Sequence, residues 1–265
     1  MPIIDFHVHC FSQRIAERAV GQLARVSGAR NPLYDGTPEA LLATMERCGV
    51  DEAVILNIAT NPKQQRAVND FAIEINNTQP RLHGFGSVHP DAPDAIGELR
   101  RLKAAGIKGV KFHPDYQNFF VNESRVFPLY EEIARLGLIT VFHSGVDIGL
   151  PDPVHCRPAA LAEVLPRFGG APVIAAHFGG YLLWEEAMLA LCGTEIYLDT
   201  SYSAKRIPPP WGKRLLAAHD SGRILLGSDL PWADPRDELY FLRGLTEDEG
   251  VLAGIFGGNA QRLLK

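Results

Sequence analysis

Cysteine is scarce in this chain and never paired. Its four copies, Cys10, Cys48, Cys156 and Cys192, lie far apart and form no CxxC motif, so they read as reduced thiols of a cytoplasmic protein. No run of Lys or Arg occurs, and a net charge of -5 argues against a nucleic-acid surface. No apolar stretch approaches the roughly 18 residues of a membrane span. A basic segment leading into an apolar one is also missing, so no signal peptide is expected. Low-complexity segments are absent, and no Gly-rich phosphate loop follows the first strand-like run. What is present is 265 residues, 46% hydrophobic and 22% charged, enough for a sizeable core in one domain over 1–265.

The opening stretch PIIDFHVH carries Asp5, His7 and His9 at alternate positions. In a strand these share one face, while Ile4, Phe6 and Val8 share the other. Two imidazoles about 6–7 Å apart along a strand can converge on one metal ion. Cys10 falls on the face away from His9 and is not counted as a ligand.

The rest of the chain repeats a strand-then-helix rhythm. Strand-like runs are 2–9, 52–59, 81–89, 106–113, 137–144, 171–178, 194–201 and 222–229, each short, β-branched or aromatic, and bounded by Gly, Pro or polar residues. Helical spacing fills TPEALLATMERCGV, DAPDAIGELRRLKAAG, VFPLYEEIARLG and RPAALAEVLPRFGG. In the first of these, Thr37 is placed as N-cap, Pro38 as the first helical residue and Gly49 as terminator. Eight such units in a chain of this length predict an α/β fold, a (β/α)8 TIM barrel. Ile4, Phe6 and Val8 are expected to pack outward on helices, and Asp5, His7 and His9 to point inward. Residues 11–36 and the stretch RIPPPWG (206–212) are expected to be long loops over the mouth.

A barrel enzyme keeps its functional residues where strands end. Of nine histidines, six satisfy that demand: His7, His9, His89, His113, His143 and His177. Asp229 ends the eighth strand. Neutral imidazoles and a carboxylate suit Zn²⁺ and similar divalent ions, which use about three or four protein ligands and leave a position for water. Such an ion acidifies its water and polarises a carbonyl, and a neighbouring carboxylate or imidazole then handles the proton.

These features together resemble the amidohydrolase superfamily, in the amidohydrolase-related (amidohydrolase 2) branch that includes aminocarboxymuconate-semialdehyde decarboxylase. The resemblance rests on DFHVH, GVKFHPDYQ, VFHSG, AAHFGG, LLGSDLPW and GGNAQRLL, whose order spans the chain. It implies that His7, His9, His143 and Asp229 bind the metal and that His177 lies beside the water on that ion. Decarboxylases of the branch are generally longer, and some carry glutamate in place of one histidine of the HxH pair.

The resulting expectation is a hydrolase with one Zn²⁺ per chain, Mn²⁺ or another divalent ion being the substitute. It would attack a carbonyl of a small amide or lactone, with His177 and Asp229 as catalytic groups. A decarboxylase acting on a small aromatic or unsaturated carboxylate is the alternative, and a non-catalytic metal-binding barrel the second. Lys111 is read as a cation for a substrate carboxylate, set against a carboxylated bridge between two metals. His113, Tyr116 and Trp232 join it as substrate-binding candidates. Tyr202, Arg206 and Trp211 follow strand ends and could shape the pocket, and the TEDEG run near residue 246 reads as a helix N-terminus. Asp5 is assigned an outer-shell bond to a histidine, while Asp199 and His89 are read as structural. The partner set is a small-molecule substrate, with no nucleic acid or membrane, and a homodimer as the assembly left open.

Overall fold

The computed structural model describes residues 1–28 and 32–265. In chain order it contains β1 (Ile4–Val8), α1 (Ala16–Ser27), α2 (Pro38–Cys48), β2 (Glu52–Leu56), α3 (Gln65–Thr78), β3 (Leu82–Phe85), α4 (Ala95–Ala104) and β4 (Gly109–Phe112). The second half adds α5 (Pro114–Gln117), α6 (Phe127–Leu136), β5 (Ile139–Phe142), α7 (Pro158–Val164), β6 (Val173–Ala175) and α8 (Trp184–Ala190). It ends with β7 (Tyr197–Asp199), α9 (Pro209–Ala218), β8 (Ile224–Leu225), α10 (Pro235–Leu245), α11 (Glu249–Ala253) and α12 (Asn259–Leu263).

All eight expected strands form, and each pairs in parallel with the next in sequence within two arcs, β1–β3 and β4–β8. The arcs close on each other at both seams. Lys111 N donates to Gly86 O at 2.8 Å across β3–β4, and Phe6 N donates to Leu226 O at 2.7 Å across β8–β1. The result is a (β/α)8 barrel. Its interior layer is Ile4, Phe6, Val54, Leu56, Phe85, Ile139, Val141, Ile174 and Leu225, with Phe6 and Phe85 edge-to-face at 5.8 Å. Each such fully buried side chain contributes roughly 1.5–3 kcal/mol.

Strand β1 departs from strict alternation. Its pairing with β2 slips between Asp5 and Val8, a bulge that adds a residue and turns the face over. Ile4 and Phe6 therefore point into the barrel rather than outward, and only Val8 packs outward, with Leu41 and Met45 of α2. The bulge lets the apolar floor and the histidines above it share one strand.

Helix α2 forms as its ends dictate: the Thr37 side chain accepts from Ala40 N, and Gly49 closes it in the left-handed conformation, a cap contributing about 1 kcal/mol. Two stretches expected as loops contain helix. Residues 11–36 hold α1, whose N-cap is Ile15 with no side-chain cap bond, so the usual start signal is missing. Positions 29–31 of that stretch lie outside the described residues. The stretch 206–212 already begins α9, with Pro at its first positions, where a missing N–H costs nothing. The TEDEG run does start a helix, α11, capped by Asp248. Among the described residues, no helix is long and apolar enough to cross a membrane.

Candidate metal centre

At the C-terminal ends of the strands lies a cavity of about 150 Å³. The metal, catalytic and substrate-binding candidates from the sequence all line it: His7, His9, His143, His177 and Asp229, together with Lys111, His113, Tyr116 and Trp232. Asp229 reaches it from a left-handed backbone, φ 74°, fixed by its N–H donating to His7 O at 2.8 Å. His177 is also left-handed, φ 60°. Such strain in non-glycine residues persists where the surroundings over-determine it, commonly at functional sites.

The hydrogen bonds assign the imidazole protons. His9 Nδ1 lies 2.9 Å from the Leu56 carbonyl oxygen and His7 Nδ1 lies 2.9 Å from Asp199 Oδ2. Both partners only accept, so both Nδ1 atoms carry the hydrogen, and in the neutral rings both Nε2 atoms are bare lone pairs. Those lone pairs face Asp229 Oδ1, at 3.0 Å from His9 and 3.4 Å from His7. Three electron-rich atoms then converge with no proton between them. A cation is what that arrangement fits, and the three donors satisfy the reach of one ion.

His143 and His177 extend the same logic. His177 Nδ1 faces Ser201 O at 3.1 Å, so its Nε2 accepts from His143 Nδ1 at 3.0 Å. That leaves His143 Nε2 as a lone pair, buried and, among the described residues, without a hydrogen-bond partner, as expected of an imidazole held ready for a metal. His143 also groups with His113 and Asp147 within ligand reach of one another. Its ring stacks on His113 at 4.1 Å, and His113 in turn stacks on Tyr116 at 4.1 Å.

Burial keeps the imidazoles of His7, His113, His143 and His177 neutral. His7 is pushed down to about 4 by burial and by the Lys111 charge, against the pull of Asp199. Burial likewise holds His113 and His143 well below the usual histidine range, and His177 below it. Lys111, 1% exposed, is lowered to about 8 by burial, opposed by Asp199 and Asp229. Its Nζ sits 3.5 Å from His7 Nε2, and among the described residues it forms no ion pair with Asp5 or Asp229.

Two acidic residues exchange the roles expected of them. Asp5 accepts from Ser228 N at 2.9 Å, from the Ser228 hydroxyl and from the His7 backbone N–H at 3.2 Å. It thus ties β1 to the end of β8 and touches no imidazole. Asp199 carries the outer-shell contact to His7 instead. Its second oxygen accepts from His177 N at 3.2 Å and Ser201 N at 3.0 Å. His89 is structural as expected, its Nδ1 accepting from Asp91 N at 3.1 Å. Trp211 packs in the cluster under α10, away from the cavity that Tyr202 does line. Sequence reasoning missed Asp147 and Tyr181, which sit on loops, and Phe11 and Leu23, which α1 and the residues before it supply.

A closed barrel with His and Asp donors gathered at its strand ends defines a metal-dependent barrel enzyme. The chain belongs to the amidohydrolase family, whose model it matches over residues 4–265. It is similar in fold to a dihydroxybenzoic acid decarboxylase from Polaromonas sp. with bound manganese and 2-nitroresorcinol. The TM-score is 0.75 at 16% identity, over 99% of this chain and 96% of that one. The 5-carboxyvanillate decarboxylase LigW from Sphingomonas paucimobilis gives 0.70 at 16% identity, over 99% and 98%. A probable 2-pyrone-4,6-dicarboxylic acid hydrolase from Acinetobacter baumannii gives 0.70 at 18% identity, over 100% and 99%.

Proposed function

We propose that this enzyme is a metal-dependent carboxy-lyase acting on a small aromatic or unsaturated carboxylate. The observation that carries the reading is the make-up of the cavity. A buried cation, Lys111, and the imidazoles form its floor, beneath walls that include Phe11, Tyr116, Tyr181, Tyr202 and Trp232. A flat acid can stack on such walls with its carboxylate beside Lys111. The two decarboxylases of similar fold support the same direction. It replaces hydrolysis of an amide or lactone as the leading reading.

His7, His9, His143 and Asp229 would hold one divalent ion, Zn²⁺ or Mn²⁺, which would supply positive charge to neutralise substrate oxygens. Loss of CO₂ breaks one C–C bond and returns its electron pair to the carbon left behind, which takes up one proton. That proton would come from bulk water, and His177 and Asp229 are the groups we assign to relay it, each taking up the proton it passes on. Lys111 orients the departing carboxylate, and the aromatic walls exclude water from the reacting carbon.

Hydrolysis is the second reading, favoured by the pyrone-dicarboxylic acid hydrolase of similar fold. Product analysis separates the two. Metal-loaded protein is incubated with hydroxybenzoates, enoates, lactones and amides, and CO₂ release is scored against ring opening or amine release. CO₂ from a ring carboxylate is the expected result, while turnover confined to lactones or amides would overturn the proposal.

A further inference from the structure

The geometry points to Arg206 as a positioning residue that builds the planar-ligand wall of the cavity by holding Tyr202 and Tyr181. Its guanidinium carbon lies 3.3 Å from the centre of the Tyr202 ring, a close face-on contact. The same group lies beside the Tyr181 hydroxyl, and the two tyrosine rings sit 5.6 Å apart. Both tyrosines line the cavity, whereas Arg206 itself is held behind them by a bond from Nη1 to Ala204 O at 3.3 Å. Among the described residues Arg206 makes no direct ion pair; its charge reaches buried Glu238 only through space, while its neighbour Lys205 pairs with Asp237 at 2.6 Å. A half-buried guanidinium whose direct side-chain contacts are both aromatic residues is there for the aromatics.

The surrounding backbone has the same purpose. Tyr202 stands in the left-handed region, φ 57°, and its N–H is tied to Ser228 O at 3.2 Å. The next two residues are clamped by buried Glu238, which accepts from Ser203 N at 3.0 Å and Ala204 N at 2.9 Å. Strain of this kind in a non-glycine residue implies that its exact direction matters. With the ring plane fixed, the wall favours a flat aromatic acid over a puckered ring of similar size and equal charge. The inference rests on the proposed substrate class but concerns recognition, not the reaction.

The test compares benzoate with cyclohexanecarboxylate, titrated into manganese-loaded protein by calorimetry. Wild type is expected to bind benzoate roughly tenfold more tightly. Arg206→Met should bring the two ligands to near parity by weakening benzoate alone, with melting temperature and metal content unchanged. Arg206→Lys should recover part of the preference, because an ammonium also binds a ring face. Equal weakening of both ligands, or an undiminished preference in Arg206→Met, overturns the inference, as does failure of wild type to bind benzoate. A preference that depends on Arg206 in a protein releasing no CO₂ from any acid would leave this inference standing and remove the decarboxylase reading.

Discussion

Asp199 Oδ2 stands 2.9 Å from His7 Nδ1, with both side chains buried. This contact decides which nitrogen of His7 is free. With a carboxylate on Nδ1, the hydrogen stays there and Nε2 offers its lone pair to the centre.

Asp199→Asn should therefore weaken metal binding by roughly 10- to 100-fold. The amide can keep the bonds from His177 N and Ser201 N through its oxygen. Its NH₂ group, turned toward His7, would favour the tautomer with hydrogen on Nε2 and so block ligation. Competition with a chelator of known affinity measures the change, and unaltered affinity would show that His7 is oriented by something else.

Lys111→Met should leave metal content intact while weakening benzoate by roughly 10- to 100-fold, the range of a lost charge-assisted hydrogen bond. The fold should tolerate the change, since burial already lowers the Lys111 pKa to about 8 and an apolar chain of similar length avoids that cost. Metal analysis and ligand titration on one preparation check it. Loss of metal would instead make Lys111 part of the ligand set.

Glu238 gives a prediction about pH. Burial raises its carboxyl well above the ordinary value, against the pull of the Ala204 and Ser203 N–H groups. A carboxyl that is easier to ionise in the unfolded chain destabilises the fold increasingly as pH rises above its unfolded value near 4.5. Glu238→Gln keeps an acceptor oxygen for both N–H groups and removes the ionisation. Variant and wild type should melt together near pH 4.5. The variant should then gain on wild type by up to about 1.4 kcal/mol per pH unit above that point. Denaturant melts from pH 4.5 to 8 read the difference, and parallel curves would mean that Glu238 is not buried as an acid.

Strand count, strand order and the strand-end histidines were all legible in the sequence, because parallel barrel strands are short apolar runs with polar ends. Facing was less legible. Strict alternation in PIIDFHVH places Phe6 outward, and the slip between Asp5 and Val8 leaves no mark in composition. Without it Asp5 looked like the partner of a histidine, and Asp199, three residues into a strand of uncertain parity, looked structural. Asp147 and Tyr181 come from loops, where no period exists to assign a direction. Helix α1 lacked a capping residue, so its contribution of Leu23 to the cavity went unread.

The final prediction separates His143 from His177, whose Nδ1 and Nε2 face each other at 3.0 Å. His143 has a buried lone pair with no partner among the described residues, whereas both nitrogens of His177 are engaged, by Ser201 and by His143. On the proposed reading, removing the first takes away a ligand, and removing the second takes away a neighbour of a ligand and a proton carrier. His143→Asn should lose metal on dialysis, with affinity down by more than 100-fold. His177→Asn should stay loaded at saturating metal, its affinity down by about tenfold at most, while turnover falls by roughly 10²- to 10³-fold. Metal content, melting temperature and product formation are measured on the same preparations, with manganese or zinc supplied in excess. Should His177→Asn lose its metal as readily as His143→Asn, His177 is itself a ligand, and the role given to it here fails.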